Sequence, residues 1–332
     1  MKALQLTALN GPSSLILREI EGAPQLNAIF AGHKRILIEV HAAGVSFPEL
    51  LQSYGRYQQQ DELPFTPGGE VAGIVLDAPA DAAVQVGDRV CAFTQSGGFA
   101  EVVAAPAMLA FPLHPSLSFA EGAALIMNYH TAYFCLVTRG HLEAGEWVAV
   151  HGAAGGVGAA TIQVAKGLGA HVIAIVSNAE KAAVAHAMGA DVVVRSTDAW
   201  KDEVIAASDG GVDMVIDPVG GDRAIDIMRT LREGGRWVIA GFAAGSIPQV
   251  KVNRLLLKNI TAVGAGWGAY AFSKPELCAS IQRELTHLID AGSVKPLVGA
   301  RFPIERGADA LAHLEKRMAV GKVVIEVRST NL

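Results

Sequence analysis

The segment VAVHGAAGGVG at 148–158 constrains the fold of this chain more than any other. Its uncharged apolar start reads as a buried strand, the glycines that follow as a tight turn, and the small and apolar residues over 157–168 as a helix. A strand entering a helix so abruptly belongs to a βαβ unit, where crossover helices join parallel strands. The small residues also carry chemistry. Gly155 lets backbone approach a pyrophosphate, the N–H groups at the helix start meet its charge, and Gly158 lets helix and strand pack closely. Ala153 stands where the pattern's first glycine would be. Ala154, Gly155, Gly156 and Val157 are therefore the expected floor of a dinucleotide site; the alternative is a tight turn without a ligand.

The rhythm continues with strands at 147–151, 171–176, 192–194, 212–216 and 236–240 and helices at 157–168, 179–188, 199–207 and 223–231. Strands so continuously apolar are buried on both faces, as in a parallel sheet. Before this stretch, 1–111 offers short apolar segments at 36–40, 71–75, 89–93 and 100–103 between glycines and prolines, which reads as β-rich. After it come helices at 275–291 and 304–318 and a closing strand at 322–327, able to return to the first domain's sheet. No repeat or low-complexity linker interrupts the 332 residues, and 51% hydrophobic content suffices for two cores.

Several partner classes fall away. A net charge of −5 without a basic block argues against nucleic acid. Cys91, Cys135 and Cys278 are odd in number and form no C-x-x-C pair, which fits a reduced, cytoplasmic protein. Residues 1–11 alternate like a strand and lack the layout of a signal peptide, and no apolar run approaches the ~20 residues of a membrane span.

The second strand of a dinucleotide fold that binds NAD ends at an acid about 20 residues beyond the glycines, which holds the ribose hydroxyls. Ser177 and Asn178 stand there instead, with Lys181 one helical turn on. Such donors suit a 2'-phosphate, so NADPH is expected over NADH. The alternatives are a helix cap at Ser177 or Asn178 and a solvated Lys181. Gly241 and Phe242, and Gly266 and Trp267, follow later strands, where backbone lines the cofactor crevice. Trp267 also suits a domain-interface anchor.

Further motifs are AAGVSFPELL at 42–51, PFTPGGEVAG at 64–73, VGDRV at 86–90, GGFAEVV at 97–103 and NYHTAYF at 128–134. In this order, with HGAAGGVG, they resemble the medium-chain dehydrogenase/reductase superfamily in its zinc-independent NADPH:quinone oxidoreductase, zeta-crystallin-like branch, over essentially the whole chain. The resemblance implies an α/β protein with a GroES-like β-rich catalytic domain from 1–122 and 267–332. A Rossmann doubly wound parallel-sheet NADP-binding domain would occupy 123–266, with the active site in the cleft between them. A homodimer joined through the edge strands of the parallel sheets is also implied, and the apolar segment 260–265 suits such an edge.

Zinc-dependent relatives place a cysteine ligand at the position of Ser46 and a histidine at that of Gly69, before Glu70. Neither residue here can replace a thiolate or an imidazole, and the four-cysteine structural lobe is missing, so no metal is expected. Without a Lewis acid, oxidising an alcohol is hard, whereas a quinone or enone accepts hydride readily. The resemblance also implies Thr131 beside the nicotinamide ribose and Asn128 towards the substrate, a helix-capping pair being the alternative. Tyr57 matches a substrate-site tyrosine whose companion is Leu51 here. Ser46 is a candidate to bond a substrate carbonyl, or else nearby backbone, and Glu70 a salt-bridging element. His130 and His151 read as satisfied core histidines.

The expected activity is metal-free hydride transfer from NADPH to a quinone or enone. The alternatives are an enoyl-thioester reductase, for which Arg56, Arg254 and Lys258 are the candidate basic groove, and an NADPH-binding structural or regulatory protein.

Overall fold

The computed structural model of the chain describes every residue except Ala23, Gln60, Asp198 and 329–332. The last four residues of the expected 267–332 segment thus lie outside the described residues. The chain forms two compact units: Met1–Met127 with Lys274–Gln282 and Pro296–Leu332, and Asn128–Ser273 with Arg283–Lys295. These limits differ from 123 and 266. The helix Trp267–Ser273 falls in the second unit, where Trp267 meets His130 edge-on at 5.5 Å between ring centroids and Tyr270 packs on Phe134 at 4.9 Å.

The first unit is built round the 11-residue strand Arg35–Val45. Along its first half Ile36, Ile38 and Val40 alternate inward, as a strand with one buried face requires, whereas its last four residues are buried on both faces. Glu70–Asp77 pairs along it, Val102–Pro106 pairs with its first half, and Lys322–Glu326 pairs with its second half. The closing strand therefore returns to the first unit's sheet as expected. Arg89–Phe93 and Ala110–Pro112 extend that sheet on one side and Val298–Pro303 on the other. Leu4, Leu6, Val71, Phe99, Val323 and Ile325 share one core with the alternating face. Each such fully buried side chain contributes about 1.5–3 kcal/mol.

The second unit holds a six-stranded sheet in the order Val192–Arg195, His171–Val176, Trp147–His151, Val212–Asp217, Leu231–Ile239, Thr261–Gly264. Every pairing in it is parallel. Trp147–His151, the first of these six strands in chain order, lies inside the sheet, and the winding reverses between it and Val212–Asp217. The sheet is parallel, as the alternation predicts, and doubly wound, as the resemblance implies; ligands of such sheets bind at the carboxyl ends of the strands beside the reversal. Among the elements not foreseen are the helix Phe47–Ser53 and a helical run over 126–139 that alternates wide π turns with one α turn.

Candidate active site

The glycine-rich turn stands at that reversal. Strand Trp147–His151 ends at Gly152, whose φ of 65° needs glycine, and Gly155 is the cap of the helix Gly156–Gly167. No side chain caps this helix, and its first N–H groups have no carbonyl within the helix to bond. A Cβ on Gly158 would stand 2.3 Å from the Gly152 carbonyl oxygen and 2.7 Å from the Ala153 Cα, so that position must be glycine for the helix to sit against the turn. A Cβ on Gly155 would meet only the Gly152 oxygen, at 3.4 Å, an ordinary contact. The packing of the turn therefore demands Gly158, and leaves Gly155 to be explained by what approaches from outside.

Asn128 is buried with its carboxamide against Gly156, where a Cβ would come within 2.6 Å of Nδ2. Asn128 and Thr131 lie inside the run of π and α turns, so neither caps a helix, and such π turns recur at functional sites. Ser177 and Asn178 follow strand His171–Val176, and Asn178 Oδ1 accepts from the Lys181 amide at 2.9 Å. Asn178 is thus the helix cap, its Nδ2 carrying its remaining donors. Arg195, a residue not singled out from the sequence, ends the adjacent strand opposite Val176. Phe242 follows Gly241 and packs on Gly220, and Gly266 opens onto no neighbour within 4 Å of its Cβ direction. Trp267 is buried against His130 in this same unit.

Sequence reasoning missed Asp217. It ends the fourth strand of the sheet, fully buried, with Oδ1 2.9 Å from His151 Nδ1 and accepting from the amides of Val219 at 3.0 Å and Gly220 at 2.9 Å. Its Oδ2 accepts from the Trp237 indole at 3.1 Å. Burial alone would raise this carboxyl, but the bonds from His151, Gly220 and Val219 outweigh it and hold it below the usual carboxylate range. His151 is therefore a satisfied core histidine. The loop that Asp217 fixes carries Val219, whose side chain abuts Gly152.

The first unit gathers Ser46, Tyr57 and Glu70. The helix Phe47–Ser53 begins after Ser46, and Glu49 reaches back to the Ser46 amide at 2.9 Å while its other oxygen accepts from the Gly69 amide at 2.8 Å. Burial, followed by the charge of Glu49, raises the Tyr57 phenol above its ordinary range, so it stays a protonated donor at neutral pH. Glu70 accepts from the Met127 amide at 2.9 Å and from the Lys322 ammonium, which also donates to Ser46 Oγ. Glu70 is thus the salt-bridging element expected, while Ser46 bonds nearby backbone in a capping box with Glu49 and also meets the distant Lys322 and Glu70. Of the candidate basic groove, Lys258 donates to the carbonyls of Arg229 and Leu231, and Arg56 lies over the Tyr54 ring at 5.3 Å.

Two family models match. Residues 156–281 match zinc-binding dehydrogenase and residues 32–115 match the alcohol dehydrogenase GroES-like domain. The zinc in the first description does not suit this chain. Ser46 and Gly69 offer neither thiolate nor imidazole, the ammonium of Lys322 sits on Ser46 and Glu70, and the described residues contain no His, Cys, Asp or Glu group able to hold a metal. The chain is 37% identical to quinone oxidoreductase-like protein 2 of Bos taurus, over 88% of this chain and 85% of that one. It is 33% identical to quinone oxidoreductase of Rattus norvegicus, over 98% and 97%. Among solved structures, the mycobacterial protein Rv1454c complexed with NADPH superposes with a TM-score of 0.89 at 32% identity, over 98% and 99% of the two chains. Similarity of this extent, on a sheet order and a donor set that agree with it, makes the chain a member of the medium-chain dehydrogenase/reductase superfamily, in its zinc-independent, quinone oxidoreductase-like branch.

Proposed function

We propose that the protein is an NADPH-dependent reductase of quinones and other conjugated carbonyl compounds. The observation that carries this reading is the uncapped turn at Gly155, Gly156 and Val157, beside a second strand that ends in Ser177 and Asn178 instead of an acid. NADPH supplies the hydride when bound. The amides at the helix start meet the pyrophosphate, with Ala154 beneath and Asn128 bracing Gly156. Ser177, Asn178 and Lys181 take the 2'-phosphate, their donors replacing the acid that would repel it. Thr131, Gly241, Phe242, Gly266 and Trp267 flank the nicotinamide half. Ser46 and Tyr57 face the acceptor, where each hydroxyl can donate to the oxygen that gains charge.

A homodimer through the edge strand Thr261–Gly264 is part of the proposal. Ile247, Val252, Leu256 and Leu257 are each more than 70% exposed on the segment before that strand, an apolar patch suited to a second copy. We also place the protein in the cytoplasm, in keeping with three cysteines that form no disulfide; no described helix is long and apolar enough to cross a membrane.

The test follows NADPH consumption by chelator-treated protein against a quinone, a simple enone and an enoyl thioester, with NADH in parallel. Turnover of quinone and enone with NADPH preferred is expected. Binding of NADPH without turnover would sink the enzymatic reading, and exclusive use of the thioester would replace the acceptor.

A further inference from the structure

Lys322 is a charged residue for which the cofactor reading has no use. Its ammonium is 2% exposed and Glu70 1%, and the two form a buried pair that also engages Ser46. The fold makes room for this deliberately. Gly44 lies opposite Glu70 on one side and Val324 on the other, and a Cβ there would stand 2.6 Å from Lys322 Cε, 2.7 Å from Glu70 Cγ and 2.3 Å from the Ala123 carbonyl oxygen. Only a residue without a side chain lets the ammonium and the carboxylate meet.

Taking an ammonium out of water costs several kcal/mol, and an apolar pair of the same volume often serves stability as well or better. Stability alone therefore explains the pair poorly. The contact to Ser46 is the informative one, because Ser46 is half-buried while Lys322 and Glu70 are enclosed. The pair presents its positive charge to a half-buried hydroxyl. A hydroxyl that accepts from an ammonium becomes a stronger donor; at rest its proton is directed to the Glu70 carboxylate, and it can rotate from there to a new acceptor. A second carboxylate, Glu49, holds the backbone amide of the same serine.

We propose that Lys322 is a positioning residue that polarises the Ser46 hydroxyl into the donor for the negative oxygen formed when hydride enters a quinone or enone. This rests on the reading of Ser46 as an acceptor contact. A C–H bond forms on the acceptor, the displaced electron pair moves to its carbonyl oxygen, and Ser46 holds that oxygen by a hydrogen bond without losing its proton. Water then protonates the product.

Lys322→Met alone would strand the Glu70 carboxylate, so the informative variant is the neutral pair Glu70→Gln/Lys322→Met, beside Ser46→Ala and Lys322→Arg. Loss of one preorganised oxyanion donor predicts a fall in kcat of roughly a hundredfold for Ser46→Ala, and loss of its polarisation a smaller fall for the pair, with KM and NADPH affinity nearly unchanged in both. Combining the pair with Ser46→Ala should cost no more than Ser46→Ala alone, and Lys322→Arg should recover part of the loss. A second readout is independent of turnover: 4-nitrophenol, a phenolate probe, should ionise at lower pH on the NADPH-saturated wild type than on the pair variant, as read by absorbance. A folded pair variant with wild-type kcat and unmoved nitrophenol titration would overturn the proposal, as would an unaffected Ser46→Ala if the pair variant does not fold. If the wild type shifts nitrophenol through Lys322 yet reduces neither quinone nor enone, the proposed function fails and the anion site stands.

Discussion

Replacing Asp217 by Asn tests the hydrogen-bond network that closes the strand Val212–Asp217. The carboxylate accepts four bonds, three on Oδ1 and one from Trp237 on Oδ2. Asn keeps one acceptor oxygen. With that oxygen towards His151, Val219 and Gly220, its Nδ2 faces the indole N–H, donor against donor, and a buried unsatisfied donor costs about 1–3 kcal/mol. Charge-assisted bonds are roughly twice as strong as neutral ones, so the three remaining bonds weaken by about 2–3 kcal/mol together, partly offset because no buried charge remains. The net expectation is a loss of about 3–4 kcal/mol, near 10 °C in melting temperature for a domain of roughly 150–250 residues. The sign with pH follows from the depressed carboxyl. Its stabilisation is complete above the unfolded value of about 3.9 and disappears as pH falls through the lower folded value. Melting followed by circular dichroism should therefore show a wide gap between wild type and variant at pH 7 that closes below about pH 4. A shift of under about 2 °C at neutral pH, or two parallel pH curves, would refute the network as described.

Gly158→Ala forces a Cβ to within 2.3 Å of a backbone oxygen, so the helix must move off the turn; NADPH-induced thermal protection should vanish while the unliganded protein loses about 1–3 kcal/mol. Lys181→Ala should weaken NADPH binding about tenfold in a fluorescence titration and leave NADH unchanged, since only the former has the extra phosphate. Burial pushes the thiols of Cys91 and Cys135 up to about 12, so neither should react with iodoacetamide at neutral pH until the protein unfolds, as mass spectrometry would show.

The parallel sheet was legible because its information is local: apolar runs, a glycine turn and helices of the right period follow one another in the chain. The proposed cofactor positions rest on the same local pattern, since strand ends line such crevices whatever the sequence between them. The helix Phe47–Ser53 carried a usable signal that went unread, a serine followed three residues later by Glu49 before an apolar stretch. Asp217 offered a weaker one, an acid closing a buried strand ahead of two glycines. Lys322 offered none. Its partners Glu70 and Ser46 lie 252 and 276 residues away, and only the pairing of the last strand with Arg35–Val45 brings them together. The wide turns over 126–139 likewise depend on packing rather than composition, which is why Asn128 and Thr131 read equally well as caps.

The central claim is direct, metal-free hydride transfer to a conjugated carbonyl. The measurement closest to it uses chelator-treated protein, a simple enone and NADPH deuterated at the transferable C4 position, with the product analysed by mass spectrometry and NMR. The account predicts one deuterium on the β-carbon of the saturated ketone and none taken there from solvent. A product carrying solvent hydrogen at that carbon, or activity that returns only when zinc is restored, would contradict it.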